Sequence, residues 1–192
     1  MNITFIVLGI VIASILSFIV LRHKFWTREK FQEGPDSYII ESTANYDVKP
    51  YKECSDIVKK DVAKYLADEW KAETGIDYTE NFIEKTWKFP DALYVMTNKK
   101  GEFIGCSSVD HKYMKYPFIS HIYVKKPYRK MGYGEKLFDV VLRHSKSVGH
   151  EKVYGFCKDE LVPYYEGFGC QKEKTSWILK PFVGFNLMTK SL

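Results

Sequence analysis

The chain has 192 residues and a formal net charge of +5, a length suited to one ordinary domain plus an appendage. Apolar residues make up 45%, aromatics 16% and charged residues 28%, which excludes a disordered chain and a polytopic membrane protein. The mild positive excess suits anionic ligands or a membrane surface, and falls short of the basic bias of a dedicated nucleic-acid binder.

The first element is an uncharged run from Ile3 to Leu21. At a helical rise it reaches about 28 Å, close to the hydrocarbon thickness of a bilayer. Arg22, Lys24, Trp26 and Arg28 follow at once, with no Lys or Arg before the run. This is the charge and aromatic pattern of a transmembrane helix over 3–21 whose C-terminal side faces the cytoplasm. A cleaved signal peptide wants a basic start, a shorter apolar stretch and a small-residue cleavage site, and these features are missing. Residues 22–36 read as a basic juxtamembrane linker ending in Glu33-Gly34-Pro35-Asp36, and 37–192 as the folded domain.

Within that domain, Ser37–Ser42 reads as a first strand. Ile57, Val58, Val62, Tyr65, Leu66 and Trp70 recur at helical spacing through Cys54–Glu73, with a stop at Gly75. A short helix over Asn81–Trp87 ends before Pro90. Leu93–Met96 and Phe103–Val109 form a hairpin around the turn at Asn98–Gly101. Phe118–Val124 is a strand, Gly134–Ser147 a helix, Val153–Cys157 a strand, Glu160–Phe168 a helix and Phe182–Met188 a closing strand. The sum is a mixed α/β (α+β) domain, a central sheet flanked by helices. Cys54, Cys106, Cys157 and Cys170 are scattered without metal-ligand spacing and read as reduced thiols, not a disulfide framework. No metal is expected.

The most informative stretch joins the strand Phe118–Val124 to the helix after it: Val124-Lys-Lys-Pro-Tyr-Arg129-Lys130-Met131-Gly132-Tyr133-Gly134-Glu135. Gly132 and Gly134 let backbone N–H groups turn toward an anion, and the helix N-terminus adds partial positive charge. Lys125, Lys126, Arg129 and Lys130 surround the same point. The chemistry is that of a pyrophosphate cradle, and the pattern matches neither a Walker loop nor the dinucleotide GxGxxG. A glycine-containing turn with a solvated charge run is the plainer alternative.

Arg129, Gly132 and Gly134 in this strand-loop-helix setting resemble the R/Q-x-x-G-x-G/A hallmark of the GNAT superfamily of N-acetyltransferases. The resemblance implies a GNAT fold with a mostly antiparallel sheet and acetyl-CoA as co-substrate. It also implies that the loop from Arg129 to Glu135 holds the coenzyme pyrophosphate, and that backbone groups of Ile122 and Val124 pair with the pantetheine arm and the acetyl carbonyl. Further on, Asp159-Glu-Leu161-Val162-Pro163-Tyr164-Tyr165-Glu166-Gly-Phe-Gly169 predicts a short helix from local physics alone. Asp159 serves as N-cap, Pro163 falls in the first turn and Gly169 lies at the C-terminal cap. This segment resembles arylalkylamine and glucosamine-phosphate N-acetyltransferases, with Cys170 where the family usually has Phe. There the resemblance implies that Tyr165 protonates the departing thiolate, since a phenol near pKa ~10 can serve a thiol near ~8.5. A core tyrosine is the structural alternative, and Tyr164 is the second candidate donor.

Transfer to an amine also needs a proton acceptor. Relatives often place one on the strand before the phosphate loop, here Phe118-Ile-Ser120-His121-Ile122-Tyr123-Val124. Simple alternation puts Phe118, Ser120 and Ile122 on one face and His121 and Tyr123 on the other. The resemblance implies that the active-site face is the one that holds Ser120, which turns His121 into packing unless a bulge changes the parity. Glu69, His111 and a water chain remain open as bases. Trp70, Tyr78, Phe82, Trp87, Tyr113 and Tyr116 shape either an acceptor pocket or core, and Lys112 and Lys115 favour an acidic acceptor. The expected reaction is direct acetyl transfer to a primary amine, on a small molecule or a peptide, by an enzyme held at a membrane. A non-catalytic acyl-CoA-binding or sensing module is the second reading; nucleic acid is not an expected partner.

Overall fold

The computed structural model describes residues 38–111, 117–173 and 185–192. The expected transmembrane helix, the linker and Ser37 lie outside the described residues, and among those described no helix is long and apolar enough to cross a membrane.

The helical spacing after Cys54 produces α1, Asp56–Thr74. It stops at Gly75, which takes the left-handed conformation and returns its N–H to the Lys71 carbonyl, a cap that glycine adopts without a β-carbon penalty. The short second helix is α2, Glu80–Thr86, where the Thr79 side chain accepts the Phe82 N–H at 3.2 Å, satisfying one orphan amide of the first turn. Val58, Val62, Leu66 and Ile83 of this pair are buried against Leu93, Val95, Phe103, Cys106 and Tyr123 of the sheet.

The strands are β1 Glu41–Ser42, β2 Tyr46–Pro50, β3 Ala92–Asn98, β4 Phe103–Asp110, β5 Phe118–Val124, β6 Lys152–Lys158, β7 Gln171–Lys172 and β8 Phe185–Ser191. Among the described residues they form one sheet in the order β1-β2-β3-β4-β5-β6-β8-β7. Neighbours are antiparallel except β5 and β6, which run parallel. The hairpin turn between β3 and β4 is tied by Asn98, whose Oδ1 accepts the N–H groups of Lys100 and Glu102.

The parallel pair requires a crossover, and α3, Tyr133–Ser147, supplies it. Its Leu137, Phe138, Val140 and Val141 cover the opposite sheet face, against Tyr94, Met96, Ile104 and Ile119. With helices on both faces, β3 and β4 are buried throughout except for Asn98 at the end of β3, and β4 carries the polar Ser107, Ser108 and Asp110 into that buried layer.

The helix expected over Glu160–Phe168 divides into a 3-10 turn, Asp159–Leu161, and α4, Val162–Gly167. Pro163 falls in the first turn and Gly169 follows the end at φ 77°. Asp159 is not the cap: its carboxylate accepts from Asn186 Nδ2 at 2.8 Å. Two further departures are β2, unforeseen between two charged stretches, and the first strand, which shrinks to Glu41–Ser42. All four cysteines are buried and free.

Candidate active site

The site begins where the sheet comes apart. β5 and β6 pair only at Phe118 with Tyr154 and at Ile119 with Gly155, and beyond those two rungs the strands diverge. A cleft of about 490 Å³ opens between them. Ser120, His121, Ile122 and Arg129 line one wall, and Gly155, Cys157 and Tyr165 the other.

The β4–β5 ladder shows why divergence starts there. Ser108 pairs with Ser120 and Cys106 with Tyr123, so His121 and Ile122 together oppose Ser107. This two-against-one arrangement is a β-bulge, and His121 carries it at φ 52°, a conformation costly for a non-glycine residue. The alternation that would separate Ser120 from His121 is therefore corrected. Ile119, Ile122 and Val124 pack on the α3 side, whereas Ser120, His121 and Tyr123 all meet partners of the α1–α2 side.

His121 sits within a polar and aromatic enclosure. Its Nδ1 lies 2.7 Å from Ser120 Oγ and 2.9 Å from Ser108 Oγ, and the two serine oxygens are 2.8 Å apart. Its Nε2 lies 3.0 Å from the Tyr78 hydroxyl. Trp70, Tyr78 and Trp87 present ring edges to the imidazole at centroid distances of 5.0, 5.5 and 5.3 Å. Removal from water disfavours the imidazolium and pushes the His121 pKa down to about 4. The ring is thus neutral at ordinary pH. Of the residues expected to shape an acceptor pocket, Trp70 reaches the cleft wall, while Tyr78 is buried and Phe82 and Trp87 pack with it. Tyr113, Tyr116, Lys112 and Lys115 lie outside the described residues.

At the open end of β5 the chain passes through a 3-10 turn, Lys126–Tyr128, into the glycine loop. Arg129 folds back so that its Nε donates to the Val124 carbonyl at 2.9 Å. Lys130 and Gly132 both take positive φ, 64° and 79°, and Met131 between them is 60% exposed. Gly132 is the N-cap of α3, so the N–H groups of Tyr133, Gly134 and Glu135 form the first turn and lack intrahelical acceptors. The ring of Tyr133 packs edge-on to Tyr46 and Tyr128, and Glu135 is exposed. Exposed first-turn amides, a left-handed glycine and the Arg129 guanidinium fit a bound diphosphate.

Tyr165 reaches the cleft from α4, its ring edge-on to Phe138 at 5.9 Å. Burial, then the neighbouring Tyr164, Cys157 and Cys170, raise its pKa well above the usual phenol range, so the hydroxyl stays protonated. Among the described residues it has no hydrogen-bond partner. Burial pushes the Cys157 thiol up to about 11, which leaves it un-ionised beside the tyrosine. Glu69 also lines the cleft, whereas His111 lies elsewhere, buried against Asp91 and stacked on His150 at 5.2 Å.

The structure thus brings Ser120, His121, Ile122, Arg129 and Tyr165 to one cleft, whereas Val124, Lys130, Met131, Gly132, Tyr133, Gly134 and Glu135 are not among the residues that line it. The sequence reading did not find the roles of Ser108 and Tyr78 as partners of His121, nor that of Gly105. A β-carbon on Gly105 would meet the Tyr123 carbonyl oxygen at 2.3 Å. A glycine inside a strand is the one signal that pointed to such a close approach.

The model of the acetyltransferase (GNAT) family matches residues 60–169. No curated protein sequence matches the chain. Among solved structures, a GNAT-family acetyltransferase from Staphylococcus aureus Mu50 is similar with a TM-score of 0.58 at 15% identity, over 77% of this chain and 99% of that one. An aminoglycoside 6'-N-acetyltransferase complexed with coenzyme A gives 0.62 at 13% identity, over 75% and 96%. N-acetylglutamate synthase from Neisseria gonorrhoeae, complexed with coenzyme A and L-arginine, gives 0.60 at 14% identity, over 78% of this chain and 34% of that one. At such identities the likeness is one of fold.

Proposed function

The chain belongs to the acetyltransferase (GNAT) family, and on that premise we propose that it transfers the acetyl group of acetyl-CoA to a primary amine by direct attack. The observation that carries this reading is the cleft between β5 and β6, which holds a neutral imidazole on one wall and a protonated phenol on the other.

Acetyl-CoA supplies an acetyl group already activated as a thioester. Arg129 and the amides of Tyr133, Gly134 and Glu135 hold its diphosphate at the mouth of the cleft. The backbone of Ile122, which no longer pairs with β6, lies on the cleft wall and offers N–H and C=O groups to an extended chain, and Val124, whose carbonyl accepts from Arg129 Nε, continues the same strand. Ser120 and His121 face the acceptor side. There His121 Nδ1 takes the proton the amine must lose, directly or through the Ser120 hydroxyl 2.7 Å away. Tyr165 holds a proton at Oη for the departing sulfur. These roles require no covalent intermediate; holding the reactants in line supplies the rate enhancement.

The acceptor is a primary amine of a small molecule or a peptide. The uncharged run over 3–21 and the basic residues after it support a single-pass anchor with the domain on the cytoplasmic side. A tag after Leu192 accessible only from the exterior would refute that orientation.

The test of the activity is release of coenzyme A thiol by the full-length protein, supplied with acetyl-CoA and a panel of primary amines at pH 6 to 9. Amine-dependent release is expected, with kcat reduced about 10²-fold or more in Tyr165→Phe. Undiminished turnover in Tyr165→Phe refutes the phenol's role. Tight acetyl-CoA binding with no turnover on any amine favours the acyl-CoA-binding module instead.

A further inference from the structure

Tyr164 precedes Tyr165 in α4 but points elsewhere. Successive helical positions diverge by about 100°, so while Tyr165 enters the cleft beside Phe138, Tyr164 reaches toward the first turn of α3. Its ring is pinned edge-on by Phe168, centroid to centroid 4.5 Å, and by Tyr165 at 5.3 Å. The hydroxyl oxygen lies 2.6 Å from the point that a β-carbon on Gly134 would occupy, and the nearest ring carbon is 3.9 Å from it. The side chain is 45% exposed, and among the described residues the hydroxyl has no hydrogen-bond partner.

The hydroxyl therefore stands over the Cα of Gly134, in the first turn of α3 whose amides lack intrahelical acceptors, held in place by packing alone. Burial and then the nearby Glu135 carboxylate raise its pKa, so it remains a donor throughout the neutral range. An O–H group at this turn, with no hydrogen-bond partner among the described residues, adds a donor to the first-turn amides for an anion.

We propose that the Tyr164 hydroxyl donates a hydrogen bond to a phosphate oxygen of acetyl-CoA, and that position 134 is glycine because this hydroxyl fills the space of a β-carbon. The inference rests on the acetyl-CoA reading above. It also separates this chain from the general R/Q-x-x-G-x-G/A pattern, which admits alanine at that position. Here alanine would drive the hydroxyl away from the anion site, although alanine itself favours a helix.

Calorimetric titration of acetyl-CoA into the full-length protein tests this without recourse to turnover. Tyr164→Phe keeps the ring and its packing and removes only the donor, so Kd is expected to rise about tenfold, the weight of one hydrogen bond to a charged group. Gly134→Ala alone should weaken binding to a similar degree. The same alanine placed in the Tyr164→Phe background should change Kd by less than about twofold, because the clashing oxygen is gone. Unchanged Kd in Tyr164→Phe, or full additivity of the two substitutions, overturns the proposal while leaving the acetyl-CoA site standing. Absence of acetyl-CoA binding in the unaltered protein overturns both.

Discussion

Acid should unfold this protein earlier than its carboxylates alone would cause. His121, His144 and His150 are each held neutral chiefly by burial, with pKa values pushed from 6.5 down to about 4. His144 is fully enclosed, its Nε2 2.7 Å from the Pro90 carbonyl oxygen and its Nδ1 3.0 Å from the Tyr94 hydroxyl. His111 stacks on His150 at 5.2 Å and meets His144 edge-on at 5.7 Å, and coupling through it further disfavours charge on both. In the unfolded chain the same imidazoles titrate near 6.5. Between pH 6.5 and 4 the unfolded state therefore binds more protons than the folded one, and stability rises with pH in that window. The stabilisation is fully present above 6.5 and is lost as pH falls toward 4.

Near pH 5.2 each imidazole differs by about 0.9 proton between the two states, so three give a slope of about 3.7 kcal/mol per pH unit. Integrated from pH 7 to pH 5 this is at most about 5.5 kcal/mol, a large part of a typical domain stability of roughly 5–15 kcal/mol. His121 and His150 are partly exposed, and solvent lowers the expectation to about 3 kcal/mol. Urea titrations of the full-length protein at pH 7 and pH 5 measure the difference. Trp70 and Trp87, packed on His121, are built-in fluorescent reporters. His144→Gln should reduce overall stability yet remove more than half of the pH dependence, an outcome that a general charge effect does not give. A change below about 1 kcal/mol between the two pH values would refute the reasoning.

The same neutral imidazole shapes the pH–rate profile. Because His121 loses its proton near pH 4, the acid limb of kcat/KM between pH 6 and 9 should follow the pKa of whichever amine is supplied; a fixed inflection near 6.5 for every amine sinks this expectation. Gly105→Ala should cost about 2–4 kcal/mol in urea titration, because its β-carbon would lie 2.3 Å from the Tyr123 backbone oxygen and 3.0 Å from Leu137. A loss under about 0.5 kcal/mol would mean that the strands separate there at little cost.

Much of the scaffold was legible because its signals are local. β5 runs over Phe118–Val124 as its apolar pattern predicts, and α1 stops at Gly75 because glycine alone enters the left-handed region freely. The glycine loop stood out for the same reason: two glycines and four cations lie within ten residues of one helix start. β2 was not. Asp47 and Lys49 alternate with buried Tyr46 and Val48, and the segment becomes a strand through its pairing with β3, more than forty residues away. The surroundings of His121 were hidden likewise. Tyr78 and Trp87 belong to other elements, and alternation along β5 places the imidazole wrongly unless the register against β4 is known. Gly105, on β4 one pair beyond Tyr123, was the available clue.

One irregularity accounts for both halves of the candidate site. Ordinary alternation through β5 would set Ser120 and His121 on opposite faces, and a straight β5 would continue its ladder with β6 past Gly155. The bulge at His121 and Ile122 changes both at once. Two successive side chains turn to the α1–α2 face, where Ser108 and Tyr78 receive the imidazole. The added local twist carries the rest of β5 away from β6, directly after the last shared rung at Ile119 and Gly155. The placement of the imidazole and the cleft are therefore products of the same extra residue. Gly105 fits this view: the bulged segment crowds β4 closely enough that no β-carbon is tolerated opposite Val124. The strain of φ 52° at His121 is offset by burial of the imidazole among three aromatic rings and three hydroxyls.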